Sequence, residues 1–269
     1  AEKTPLMTDL EPVLRIVPSP GDALSLQNTK NTGVLQMTVR TFFAAAAAVI
    51  VGLSAAAAGA EELRVAATPV PHADILKLIE PDLKKDGYDL KIVEFSDYVS
   101  PNLALDAGEV DANYYQHKPF LDAAVEHRRL KIASVAPIHI LPMAAYSKKV
   151  KKITDLADGA SVTIPNDPAN GGRALLLLED AGLLKLKPGI GVKATVLDIV
   201  SNPKHLRIRE VEAAQVPRTL DDVDLAVVNS NYAIGVGLNP VTDSIYLESK
   251  TSPYAVVVAA RQGNEKDAK

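Results

Sequence analysis

The chain has no cysteine among its 269 residues. That excludes disulfides, thiolate metal sites and cysteine nucleophiles, and it removes the acyl-accepting cysteine that a lipoprotein uses. A dense basic surface is missing as well: 29 Lys and Arg stand against 33 Asp and Glu, for a net charge of −4. The richest basic run, residues 148–152, reads as a solvated connection, so no nucleic-acid partner is expected. Catalytic signatures are also lacking. The five histidines (His72, His117, His127, His139 and His205) are scattered, with no H-E-x-x-H and no G-x-S-x-G. PGIGVKA and GVGLNP each hold a lone G-x-G, too little for a dinucleotide fingerprint. The expectation is a protein that is not an enzyme and uses no cofactor and no metal. A zinc site built from distant histidines and a hydrolase stay open as alternatives.

One long apolar run is present. Residues 40–60, RTFFAAAAAVIVGLSAAAAGA, place an arginine before an apolar stretch that ends in small residues. This is the order of a secretory signal, with residues 37–60 as the signal peptide and cleavage near Ala60. The stretch is also just long enough to span a bilayer, so a retained anchor is the alternative. Residues 1–36 hold Pro5, Pro12, Pro18 and Pro20 and no sustained periodicity, and read as a non-native or disordered leader. Export without disulfides fits a bacterial periplasm. With no cysteine to acylate, a free periplasmic protein is expected and lipid anchoring is not.

From Glu61 onward, apolar runs alternate with amphipathic segments. LRVAAT, DLKIVEF and VDANYYQ read as strands, with helical spacing between them. The pattern restarts after a changeover near residues 146–153. Thr154 is expected to cap a short helix, and SVTIPN, ATVLDIV and DLAVVN to form strands. A helix is expected over 171–181. The fold class is α/β, with two lobes built on mostly parallel sheets flanked by helices. Residues 61–146 with 230–269 form the first lobe and 147–229 the second. Ligands of such sheets bind beyond the carboxyl ends of strands, here in the cleft between the lobes.

Three loop clusters follow strands. FSDYVSPN holds Tyr98; DANYYQHKPF holds Tyr114, Tyr115, His117 and Phe120; IPNDPANGGR holds Asn166, Asp167, Asn170 and Arg173. Asn229, after DLAVV, is a fourth candidate. Arg173 is expected in the first turn of its helix, where unpaired N–H groups favour an anion and Gly171 and Gly172 leave room for it. Its fork fits one carboxylate. The plain alternative is an arginine paired with Asp167 or Glu179. Aromatic residues make up only 4 % of the chain, so their clustering at two loops points to a pocket for an apolar or thioether side chain. Arginine and amides at one end and rings at the other describe an amino-acid site. On this reading, Arg173→Ala abolishes binding and leaves the unliganded melting point nearly unchanged.

The segments LRVAATPVPHADIL, DYVSPNLALDAGEVDANYYQHKPFL, IPNDPANGGRALLLLEDAGL and AVVNSNYA closely resemble the NlpA-type methionine-binding proteins of bacterial ABC importers. The resemblance runs from about residue 63 to 261. It implies a two-lobed periplasmic-binding fold, type II-like, that closes on methionine and delivers it to an inner-membrane permease with its ATPase, acting as a monomer. It also implies Arg173 as carboxylate anchor with Asn170 beside it, and Asn229 at the ligand's amino group. Tyr98, Tyr115, His117 and Phe120 would line the thioether pocket. Members often carry tyrosine where this chain has Phe120, so one hydroxyl is missing here. Members also carry a cysteine after the signal, where this chain reads AGAEEL.

Overall fold

The computed structural model describes residues 60–249 and 253–264; the expected leader and all of the expected signal except Ala60 lie outside them. Strand β1 (Glu61–Ala67) leads through α1 (Asp74–Lys85) to β2 (Tyr88–Glu94), and α2 (Ser100–Asp106) leads to β3 (Ala112–His117). β1 pairs in parallel with both β2 and β3, as helical crossovers allow. α3 (Lys118–Arg128) precedes β4 (Ile132–Ile140), and the chain then leaves this sheet.

The second sheet begins with β5 (Ala144–Tyr146) and continues with β6 (Ser161–Pro165), which runs into α4 (Pro168–Asp180). A small ribbon of β7 (Lys185–Leu186) and β8 (Ile199–Ser201) follows. β9 (Arg207–Val211) and β10 (Leu225–Val228) come next, then α5 (Ser230–Gly235) and β11 (Tyr246–Leu247). Finally β12 (Ala255–Arg261) returns to the first sheet and lies antiparallel between β3 and β4. The strand orders are β2-β1-β3-β12-β4 and β11-β5-β10-β6-β9.

Each sheet is covered on both faces, so its central strands read as apolar runs. Alternate residues of β1 enter opposite cores: Ala66 joins Leu105, Leu121 and Ile132, while Val65 and Ala67 join Leu76 and Leu90. In the second lobe, Leu175 and Leu178 of α4 pack on Val162, Ile164 and Leu225.

Four expectations differ from the structure. The lobe boundaries shift, because Ala144–Tyr146 pairs with β10, and Tyr246 and Leu247 pair with Ala145 and Ala144. Backbone pairing therefore puts residues 143–249 with the second sheet. α4 starts at Pro168, three residues before its expected start, because Asp167 caps it and proline suits the first helical position. Thr154 caps nothing; a short turn, Ile153–Asp155, occupies that place without a side-chain cap. The expected strand over 194–200 bends at Val196–Asp198, where Thr195 Oγ1 and its backbone N–H both donate to Asp198 Oδ2 at 2.7 and 3.0 Å. Such a capping box diverts the backbone from a ladder.

Candidate ligand-binding site

Tyr98, Tyr115, His117, Phe120, Asn170, Arg173 and Asn229 all line one cavity between the lobes. β3 supplies two of them. Its register with β12 pairs Gln116 with Val257 and Tyr114 with Val258, so Tyr115 has no partner on β12. A bulge of this kind re-aims a side chain beside a site. Tyr115 donates its hydroxyl to the Tyr98 carbonyl at 2.8 Å. The rings of Tyr98, Tyr115 and Phe120 sit with centroids 5.7 to 6.3 Å apart, and Tyr232 stacks on Tyr98 at 4.8 Å. These spacings favour tilted and edge contacts.

His117 joins the lobes. Its Nδ1 accepts the Phe120 N–H at 3.1 Å and so caps α3. Nε2 therefore carries the proton and donates to Asn170 Oδ1 at 3.0 Å. Burial, and then the Arg173 charge, push the His117 pKa down to about 3, so the ring is neutral. Asn170 is held in turn by Asp167, whose two carboxylate oxygens accept from its Nδ2 at 3.0 Å each. Burial raises the Asp167 pKa against these hydrogen bonds. Asn229 donates from Nδ2 to Asn170 Oδ1 at 2.7 Å, while its own Oδ1 is buried without a partner among the described residues. Across the cleft, Tyr98 donates to Asn231 Oδ1 at 2.5 Å and Tyr232 donates to the Ser96 carbonyl at 3.1 Å.

Arg173 lies in the second turn of α4, not the first, and its side chain is 3 % exposed. It pairs with neither Asp167 nor Glu179. Nε and Nη2 donate to the two oxygens of Glu248 at 2.8 and 2.5 Å, and the guanidinium lies 4.2 Å over the Tyr254 ring. Nη1 has no hydrogen-bond partner among the described residues. The two glycines also serve a different purpose from the one expected. A Cβ on Gly172 would stand 2.5 Å from the Val192 carbonyl oxygen, and one on Gly171 3.0 Å from that of Pro165. They let backbones approach closely and do not line the cavity.

Sequence reasoning missed His72, Asn231 and Glu248. His72 follows β1 in an irregular turn, Pro69–Ala73. Its Nδ1 meets Thr68 Oγ1 at 2.6 Å, and its Nε2, in a ring that lines the cavity, is buried without a partner among the described residues. Burial and the neighbouring His139 lower its pKa to about 3. Asn231 lay within the AVVNSNYA motif and could have been found there. Glu248 is 75 residues from Arg173 and had no local signal. Among the described residues, no three His, Asp or Glu side chains are grouped to hold a metal ion.

Two lobes joined by two chain crossings, with a buried polar and aromatic cavity between them, define a two-lobed substrate-binding protein. The chain belongs to the NlpA lipoprotein family, whose model matches residues 63–269. A D-methionine-binding lipoprotein MetQ of Salmonella typhimurium is 45 % identical over 231 residues, covering 83 % of this chain and 85 % of the relative. The structure of a nutrient binding protein from Burkholderia cenocepacia bound to methionine is 47 % identical with a TM-score of 0.75, covering 77 % of this chain and 87 % of that one. A periplasmic substrate-binding protein of an ABC transporter from Coxiella burnetii is 45 % identical with a TM-score of 0.74, over 77 % and 87 % of the two chains.

One expectation is overturned here. The family is described as a lipoprotein family and the Salmonella relative is named a lipoprotein, which contradicts the reading that lipid anchoring is not to be expected. A missing cysteine removes one acyl acceptor; it does not establish where a protein resides.

Proposed function

We propose that this chain captures methionine, in the L or D form, and delivers it to an inner-membrane ABC permease with its ATPase. It is a substrate-binding protein and not an enzyme. The observation that carries the reading is a pair of unmet polar groups at one end of an aromatic cavity. The Nη1 donor of Arg173 suits a carboxylate, and the buried Oδ1 of Asn229 suits an ammonium. Leaving a buried acceptor unmet costs about 1–3 kcal/mol, so a ligand that donates there binds with that gain. Asn170 and His117 hold Asn229 in place. Tyr98, Tyr115, Phe120 and the edge of His117 take the thioether, at about 0.3–1.5 kcal/mol for each sulfur–aromatic contact. Residues 61–142 with 253–264, and residues 143–249, are the two lobes that close on it. All of these residues come from one chain, so a monomer suffices, as light scattering can check.

The test is the identity of the ligand released by denaturing the purified chain, read by mass spectrometry. Methionine is expected; a different amino acid, or a sugar or metal ion, contradicts the proposal. A short methionine-containing peptide is the second reading. A neighbouring cavity shares Tyr98 and Phe120 as its wall and offers room beyond the thioether end. Tighter binding of a dipeptide than of methionine would favour it.

A further inference from the structure

Arg173 is fastened to both places where the chain passes between the sheets. Residues 141–143 carry it from β4 to β5, and the second passage runs from β11 to β12 and opens at Glu248. Nη2 of Arg173 donates to the Leu141 carbonyl at 2.8 Å on the first passage. Nε and Nη2 donate to Glu248 on the second. The passages are also bonded to each other: the Met143 N–H donates to Glu248 Oε2 at 3.1 Å, and the Glu248 N–H donates to the Met143 carbonyl at 2.9 Å.

We propose that Glu248 is the positioning residue of the carboxylate anchor, and that through it and Leu141 the ligand's carboxylate is coupled to both interlobe passages. This rests on the methionine reading above. A guanidinium held by its Nε–Nη2 edge presents one orientation of its remaining edge, so a ligand carboxylate meets a donor already in place. Charge argues the same way. Arg173 and Glu248 together add no net charge to a buried site, so a zwitterion enters without leaving an uncompensated ion. A ligand with only the ammonium, such as methioninamide, has no carboxylate for Arg173 to meet.

The experiment is a calorimetric titration of the full chain, stripped of ligand, with methionine and with methioninamide. The unaltered chain is compared with Glu248→Gln and Glu248→Asp. Glu248→Gln is expected to weaken methionine by about 10–100-fold, the equivalent of one charge-assisted hydrogen bond. Glu248→Gln also leaves the Arg173 charge uncompensated against an ammonium, so the two ligands are compared on Glu248→Asp, which keeps the charge and shortens the reach. Methionine should weaken there while methioninamide changes by less than about threefold, so that discrimination between the two shrinks. Equal loss for both ligands there, or no loss, overturns the proposal. A measurement without variants stands beside it. In guanidinium ¹⁵N spectra of the unaltered chain, methionine should shift the Arg173 Nη1 signal and leave Nε in place. An Nε shift as large as that of Nη1 means that Glu248 lets go, and also overturns it. If the unaltered chain binds no methionine, the methionine reading fails and this proposal with it. Normal methionine binding that Glu248→Gln leaves unchanged defeats this proposal alone.

Discussion

Arg173 and Glu248 show how much one unforeseen partner alters a prediction. Their side chains are 3 % and 12 % exposed, and removing one member of a buried pair strands the other. Arg173→Ala is therefore expected to lose methionine and also to lower the unliganded stability by about 3–5 kcal/mol. The sequence-based expectation of an unchanged melting point does not survive this geometry. Urea denaturation of the unliganded variant decides it, and a stability equal to that of the unaltered chain would contradict the pairing. The buried histidines make a second residue-scale prediction. His72 and His117 have folded pKa values of about 3 against about 6.5 when unfolded. Below pH 6.5 the unfolded chain takes up protons that the folded chain refuses. The stability these rings contribute is present above pH 6.5 and is lost as the pH falls from there toward 3. Each histidine removes up to about 1.4 kcal/mol per pH unit in that window. His117→Gln should make the decline between pH 6.5 and 5 shallower by one such increment, and an unaltered slope would count against a neutral buried His117.

At the scale of elements, α4 is where packing and function meet. Gly172 admits the Val192 carbonyl oxygen into the space a Cβ would fill, at 2.5 Å. Alanine would favour the helix by about 0.8–1 kcal/mol, but backbone crowding of this degree costs about 1–3 kcal/mol. Gly172→Ala should therefore lower the melting temperature, and a rise would show that the contact relaxes freely. The elements legible in the sequence were those with one dominant signal. The apolar run in DLAVVN matches β10, and LRVAAT and DLKIVEF match β1 and β2. Those that escaped carried competing signals. β9, RIREV, has three charged residues in five and lies at the edge of its sheet, where charge guards against further pairing. Over 194–200 a side-chain hydrogen bond between Thr195 and Asp198 outweighed β-rich composition.

At the scale of the whole molecule, the seven expected site residues meet at one cavity because strand ends and the loops after them face the cleft in both sheets. That rule needs no knowledge of tertiary pairing, so this much was legible. The long-range pairings were not: no periodicity or spacing announces Glu248 opposite Arg173, and the motif that holds Asn231 carries no signal that it meets Tyr98. The lobe boundaries slipped for the same reason: β5 and β11 are three- and two-residue strands whose sheet is decided by pairing and not by pattern. The central claim is that this cavity holds methionine. Its most direct test is the unfolding free energy of the full chain, stripped of ligand and shown to be folded, as methionine is added. At about 100 times Kd, stability should rise by about 2.7 kcal/mol and follow a one-site curve; a folded chain whose stability does not move at millimolar methionine would contradict the account.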